Sequence, residues 1–547
     1  MQTVLVVSGG GLQGMALIDA LRRVPQTRII LMDCLANNIG RYHVTRFVPA
    51  PMLADEDAFM ACLLDTCRDE AVQWVFQSTE RELSLLARER SRIESVGARL
   101  MVSQPAALAV GQDKLGLHTW LCANGLPALQ TVTDPVAAGL PLPWLGKPRR
   151  GWGGQGVIVV RRPEDGVEAG RRTDVETVWQ PWLERFDEYS VDFAIDADGR
   201  VSPLAVRRRI RTLSGFAMIC EPSADADVYG LAARVAEALV ALGGCGVLNL
   251  QILRTVEGLW VSDLNPRVGT SLPLSLAAGV NPVAFLMGQP ASPAPPRRIE
   301  RTFRALHERA VSTLALAPVR GLVFDLDDTL LDQKDWIGRK LQWVWPLHQA
   351  GLPPRHRFLR DMHWLLEEGH RSDLIDAYCA LAGLDAALRD QLIGSYRAAE
   401  PDACRLYDDA RPVLHELRRR GYRLGLLTDN PAASQRLKVQ VAALAPAFDA
   451  VVYTGDLGSR KPDPRCFAAV AAGLGVAADQ LAMVGDNLYR DGVGALDAGF
   501  AHAFLVRHAG SMFDFGAGSA WSEPAPQALT GVQALTELLW HLEGVPS

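Results

Sequence analysis

Short apolar runs recur along this chain, with longer amphipathic stretches between them. Residues 4–7, 29–32 and 74–76 are such runs, and a stretch of helical character extends through Leu21 after the first. An uninterrupted apolar run predicts a strand buried on both faces. Strand–helix alternation predicts a parallel sheet covered by helices. From about 112 to 288 the pattern changes to strands parted by glycine loops, around 145–147, 157–161, 190–196, 247–254 and 259–263. Arg207, Arg209 and Arg211 alternate on a further strand, either as an exposed basic face or as anchors for an acid or phosphates. Residues 289–296 hold four prolines in eight positions, which predicts a linker, with a connecting helix to about 316. A third section has a strand at 321–325, a helical stretch at 333–400, and strands at 423–428, 450–453 and 481–485.

Length and charge narrow the class. At 547 residues, about 150 per domain suggests three or four domains. The net charge of −6 leaves no global basic field, so nucleic acid is not an expected partner. Nine cysteines, an odd number with no Cys-x-x-Cys pair, fit reduced thiols in a cytoplasm. The N-terminus has no basic leader. No apolar segment of about 18 residues occurs, so no membrane span is expected. The loop Gly9-Gly10-Gly11-Leu-Gln-Gly14, with Asp33 after the second strand, permits a dinucleotide reading, but a tight strand-to-helix turn is preferred.

The chemistry of the third section lies at strand ends, where open α/β sheets place their ligands. Asp325, Asp327 and Thr329 follow the first strand, Thr428 ends the second, and Lys461 sits in Arg460-Lys-Pro-Asp-Pro. Asp486 ends a fourth strand, with Asp491 five residues later. Carboxylates this close repel when dehydrated, so they hold a cation or do chemistry. One carboxylate can attack phosphorus, and its neighbour can protonate the leaving oxygen and then activate water. A hydroxyl and a lysine can hold phosphoryl oxygens, and acids from two strands can hold Mg²⁺. The ordered set resembles the haloacid dehalogenase (HAD) superfamily over about 319–515. The resemblance implies Asp325 as nucleophile, Asp327 as acid/base, Thr428 and Lys461 on the phosphate, and Asp325, Asp327, Asp486 and Asp491 around the metal. It also implies that 333–404 is a helical cap, whose Trp336, Trp343, Trp345 and Trp364 are read as the cap's own core.

Earlier in the chain, Gly146-Lys147 precedes a loop with Gly151, Gly153, Gly154 and Gly156, and Lys114 opens a helix. Such a loop can wrap phosphates with backbone amides, and the lysines add charge. Downstream stand Gln180 to Leu183, Glu188, Gln251, and Asp263-Leu-Asn265-Pro-Arg267. Strand alternation puts Asp263 and Asn265 on one face. These features resemble the ATP-grasp superfamily, near carbamoyl-phosphate synthase and biotin carboxylase, over about 1–285. The resemblance implies phosphate contacts from Lys114, Lys147 and the loop, adenine at Gln180–Leu183 and ribose at Glu188. It implies Mg²⁺ on Gln251, Asp263 and Asn265, with Arg267 on the transferring phosphate. Thr270 and Ser271 could line an acceptor site. Two positions depart from the family pattern: Asp263 stands where Glu is usual, and Pro181 where an acid is common.

The expectation is therefore an α/β multidomain protein. A pre-ATP-grasp α/β domain (1–111) precedes an ATP-grasp α+β fold (112–288), a linker and connecting helix (289–317), and a Rossmann-like HAD core with inserted helical cap (318–547). The expected function is bifunctional and cytoplasmic: an ADP-forming carboxylate–amine ligase fused to a phosphatase. It would use ATP and Mg²⁺ (Mn²⁺ as a substitute) on a small carboxylate, an amine and a phosphorylated metabolite, without nucleic acid or membrane partners. Whether it forms a homodimer is left open. The alternative is a phosphatase regulated by an ATP-binding half that does not turn over.

Overall fold

The computed structural model describes residues 1–151, 156–162, 176–213, 216–290, 302–303, 319–370, 373–508 and 528–542. The chain divides into two compact units, Met1–Ala310 and Val311–Ser547. Most of the predicted linker and connecting helix lie outside the described residues, but Thr302–Phe303, expected in the helix, form a short strand against Ile219 and Cys220 instead.

The first unit opens with β1 (Gln2–Val7), β2 (Thr27–Asp33), β3 (Arg46–Pro49), β4 (Trp74–Gln77) and β5 (Arg99–Leu100). They form a parallel sheet in the order β3-β2-β1-β4-β5. Alternate residues of the apolar runs enter opposite core layers. Leu5, Val7, Ile30 and Met32 pack on one face, and Val4, Val6, Ile29 and Leu31 on the other. The glycine loop makes a tight turn: a Cβ on Gly14 would stand 2.0 Å from the Gly9 carbonyl oxygen. Asp33 is used inside that turn, accepting from the N–H groups of Gly10 and Leu35, both at 2.8 Å.

Next come β6 (Trp144–Pro148), β7 (Ile158–Val160) and β8 (Thr177–Pro181), antiparallel in the order β7-β6-β8. A six-stranded sheet follows from β9 (Asp187–Ile195), β10 (Ala205–Leu213), β11 (Phe216–Pro222), β12 (Gly246–Arg254), β13 (Leu259–Asn265) and β14 (Thr302–Phe303). Its order is β13-β12-β9-β10-β11-β14. Helix Ala226–Ala241 covers it, placing Leu231, Val235 and Leu239 against Val191, Phe193, Leu248 and Leu250. The β12–β13 register sets Gln251 opposite Asp263.

The second unit is built on β15 (Gly321–Phe324), β16 (Arg423–Thr428), β17 (Ala450–Tyr453), β18 (Leu481–Gly485), β19 (His502–Val506) and β20 (Leu529–Val532). All pair in parallel, in the order β17-β16-β15-β18-β19-β20, so β15 is central between β16 and β18. Between β15 and β16 four helices, Gln333–Val344, Arg355–Glu367, Leu374–Ala382 and Ala386–Ala398, close around Leu341, Phe358, Met362, Tyr378 and Leu392. The expectation that the tryptophans form this core holds only for Trp345, which packs partly buried against it, and is corrected for the others. Trp343 and Trp364 are largely exposed, and Trp336, buried, lies under the ammonium of Lys438. Leu, Phe and Met fill the core instead. Among the described residues no helix is long and apolar enough to cross a membrane.

Candidate active sites

In the second unit the topology converges on one edge. Asp325 is the first residue past β15, Thr428 ends β16, and Asp486 follows β18. Asp325, Asp486 and Asp491 bring carboxylate oxygens within 4.8 Å of one another. Lys461, almost fully buried, donates from Nζ to Asp325 Oδ1 at 2.7 Å, to Asp491 Oδ1 at 2.6 Å and to the Leu427 carbonyl at 3.2 Å. Asp491 Oδ2 accepts from the Asn487 N–H at 3.0 Å, so both its oxygens are held. Asp429 fixes the lysine's own backbone, its Oδ1 accepting from the Lys461 N–H at 3.1 Å. Gly485 permits this closeness: a Cβ there would stand 2.4 Å from Asp491 Cγ.

Burial pushes the Asp325 carboxyl up to about 7, with Lys461 pulling it down and Asp491 and Asp327 adding to the rise. Burial also drives Asp486 up to about 9, reinforced by the charges of Asp491, Asp325 and Asp328. Burial works against the Lys461 ammonium, but Asp325, Asp491 and Asp429 outweigh it and hold the group charged. Asp486 Oδ2 is buried without a hydrogen-bond partner. An orphaned carboxylate oxygen beside two more carboxylates is an all-oxygen donor set that fits a hard divalent cation such as Mg²⁺. Asp325 and Asp486 would hold it, with Asp491 behind them.

Asp327, also expected among the metal ligands, stands apart from this group. Its Oδ1 accepts from Lys438 Nζ at 2.6 Å, and its Oδ2 from Gln435 Nε2 and Asn430 Nδ2, each at 3.0 Å. Gln435 Nε2 also donates to Thr428 Oγ1 at 2.7 Å, tying the acid to the hydroxyl. Sequence reasoning missed Lys438, Gln435 and Asn430. A signal was present: Gln435 and Lys438, three apart on helix Ala432–Val441, share its inward face and are both buried.

The second constellation, in the first unit, gathers around Asp263. Asn265 Nδ2 donates to Asp263 Oδ2 at 3.4 Å, and both lie on one face of β13. Burial lowers the Lys147 pKa while Asp263 opposes the shift. Burial lowers Arg267 likewise, with Glu80 and Asp263 opposing, and the Arg267 Nε–Glu80 Oε2 distance is 3.7 Å. Burial raises Glu188, which is ion-paired with Arg209 and also faces Lys147. Lys114 Nζ donates to the Gly151 carbonyl at 2.9 Å, where the glycine loop begins. Gly151 and Gly156 have φ of 144° and 70°, values that favour glycine. Gly153 and Gly154 lie outside the described residues. Gln180 is buried with Nε2 on Thr131 Oγ1 at 3.0 Å, and Leu183 is half-buried.

The reading of Arg207 as an anchor for substrate is corrected. Its side chain is 1% exposed and paired with fully buried Asp192, which also accepts from Asn249 Nδ2 at 2.6 Å and Ser275 Oγ at 2.7 Å. Ser271 belongs to the same network, accepting from Arg207 at 3.3 Å, so it does not face an acceptor. A buried carboxylate demands such partners.

Residues 319–499 match the family described as haloacid dehalogenase-like hydrolase. Residues 4–101 match the PylC-like N-terminal domain, and 111–271 the ATP-grasp domain. The chain is 38% identical over 193 residues to a glyceraldehyde 3-phosphate phosphatase of Pyrococcus abyssi, covering 33% of this chain and 79% of that protein. It is 46% identical over 102 residues to a phosphoserine phosphatase of Thermus thermophilus, covering 19% of this chain and 41% of that one. It thus spans less than half the length of the latter relative. An N5-carboxyaminoimidazole synthetase from Staphylococcus aureus, solved with ADP, superposes with a TM-score of 0.44 at 15% identity, over 53% of this chain and 78% of that one.

Proposed function

Through residues 319–499 this chain belongs to the haloacid dehalogenase-like hydrolases, and from that premise we propose an enzyme with two activities. The second unit is a Mg²⁺-dependent phosphatase of a small phosphorylated metabolite, and the first is an ADP-forming carboxylate–amine ligase. The observation that carries the first part is the buried Asp325–Lys461–Asp491 cluster with the orphaned oxygen of Asp486.

In the phosphatase, an Asp325 oxygen attacks phosphorus and the bond from phosphorus to the ester oxygen breaks. Asp327 gives that oxygen its proton. Asp327 then takes a proton from water, whose oxygen attacks the aspartyl phosphate, releasing phosphate and restoring Asp325. Lys461 and Thr428 hold the non-bridging oxygens. Mg²⁺, or Mn²⁺, when bound offsets the carboxylate and phosphoryl charge. The relatives' activities on phosphoserine and glyceraldehyde 3-phosphate support a small phosphate monoester as substrate.

In the ligase, ATP transfers its γ-phosphoryl group to a carboxylate. An amine then displaces phosphate from the acyl phosphate. Lys114, Lys147 and the loop at 151–156 hold phosphates, Gln180 to Leu183 flank adenine, and Glu188 meets the ribose. Gln251, Asp263 and Asn265 would hold the nucleotide's metal, and Arg267 would steady the transferred phosphate. The convergence of Lys147, Glu188 and Arg267 on Asp263 supports these roles. The nine cysteines, none of them in a disulfide, support a reducing, cytoplasmic setting.

The test uses Asp325→Asn in the full chain. Phosphate release from p-nitrophenyl phosphate with Mg²⁺ should fall by about 10³-fold or more; turnover unchanged from wild type would refute the nucleophile. The same variant is then given Mg-ATP with pooled carboxylates and amines, and ADP and new masses are scored. Binding of ATP with no ADP from any pool would favour the second reading, a nucleotide sensor governing the phosphatase. Asp263, one methylene shorter than the usual acid, motivates that reading.

A further inference from the structure

The helix Gln333–Val344 turns Gln333, Trp336 and Lys340 to one side, since positions three, four and seven apart share a helix face. That side meets the acid/base. Lys438 Nζ, already on Asp327, also donates to Gln333 Oε1 at 2.8 Å and lies 5.7 Å from the Trp336 ring centroid. Lys340 continues the row. It is 7% exposed, yet among the described residues it makes no hydrogen bond or ion pair. Its Nζ sits 4.6 Å from the ring centroid of Tyr396, which comes from helix Ala386–Ala398. Burial lowers its pKa and the charge of Lys438 lowers it further, with no carboxylate opposing. Tyr396 is close enough to Asp327 for that carboxylate's charge to add to its rise, which burial dominates. Two ammonium groups on buried side chains thus share this region, and Asp327 is the acid that meets one of them. Among the described residues an aromatic ring faces this cation but no carboxylate does, so an arriving anion would be stabilised there.

Resting on the phosphatase reading, we propose that Lys340, backed by Tyr396, binds a second anionic group of the substrate, so that the second unit prefers phosphate monoesters carrying an additional carboxylate or phosphate. The reacting phosphate sits at Asp325, Thr428 and Lys461, and the second anion reaches from it to the face of the helix Gln333–Val344. Filling that subsite gives Lys340 the counter-charge it lacks.

The experiment compares full-length wild type, Lys340→Met and Lys340→Arg with Mg²⁺ on three probes: p-nitrophenyl phosphate, a set of phosphorylated hydroxy acids, and a set of sugar bisphosphates. Wild type should favour one doubly anionic set in kcat/KM. Lys340→Met should collapse that preference by about tenfold or more, mainly through KM, and Lys340→Arg should keep most of it. Which set responds tells carboxylate from phosphate. Equal losses on all probes, or an undisturbed preference in Lys340→Met, would overturn the inference while leaving the phosphatase standing. Should no probe be hydrolysed in an Asp325-dependent way, the phosphatase reading falls and this inference falls with it. Unchanged thermal unfolding separates lost recognition from lost folding.

Discussion

Arg207 and Asp192 show how a residue-scale reading can mislead. In the sequence Arg207 is one of several arginines on a strand and looks available to a substrate. In the fold it lies inside the sheet between β9 and β11, among the described residues the one cationic partner of a carboxylate that water cannot reach. We expect Arg207→Met to destabilise the first unit by about 3–5 kcal/mol, because it strands a buried charge, and Arg207→Met/Asp192→Asn to recover part of that loss. Denaturant unfolding of both variants reads it; a cost near that of a surface substitution would show that Asp192 is neutralised some other way. Lys461 contrasts with Arg207: it is equally buried and paired, but its partners stand at a sheet edge open to ligand. The difference between a structural and a catalytic ion pair is where in the sheet it falls, and sequence marks that only through the strand ends.

At the scale of elements, strand ends and close approaches decide function. β18 ends in Gly485 because Asp491 folds back onto it within hydrogen-bonding distance of the Asn487 backbone. Gly485→Ala should therefore expel Asp491 from Lys461 and weaken Mg²⁺ binding about tenfold or more, as losses behind a metal ligand do. Mg²⁺ titration followed by calorimetry measures this, and a wild-type affinity in the variant would count against the arrangement. The buried strands β1, β2, β15, β16 and β18 were legible because two covered faces demand continuous apolar runs. β3 and β5 were not: β3 is a partly exposed edge ending in Pro49, and β5 has only two residues. The helical insert was legible from its period, whereas its core was not. Tryptophan is the obvious core candidate by size, yet Trp343 and Trp364 face solvent while Leu341, Phe358 and Met362 fill the interior.

For the molecule as a whole, the raised carboxyls link stability, metal and pH. Asp325 and Asp486 titrate near 7 and 9 when folded, against an ordinary 3.8. Without metal these two carboxyls therefore hold protons that the unfolded chain has lost, and the stability they contribute to the second unit falls as pH rises through the window from about 4 to 9. Mg²⁺ displaces those protons, so its stabilisation of the second unit should grow with pH across about 7 to 9 and vanish in Asp486→Asn. Thermal unfolding at several pH values with and without Mg²⁺ tests this; a Mg²⁺ shift independent of pH would contradict the protonated cluster. The order of chemical groups along the chain was fixed by sequence alone: a lysine and glycine loop, an Asp-x-Asn-Pro-Arg ending, then Asp-x-Asp-x-Thr, Thr, Lys and Asp at successive strand ends. Buried strands and local turns are short-range matters that the polar pattern records directly. What only the tertiary structure decided was which polar groups meet. It gave Asp327 to Lys438, Gln435 and Asn430, took Arg207 and Ser271 into a buried network, and left Lys340 without a counter-charge. Those outcomes depend on pairings between residues up to 111 positions apart, and the distances and burial that set a group's charge exist only once such residues are packed together.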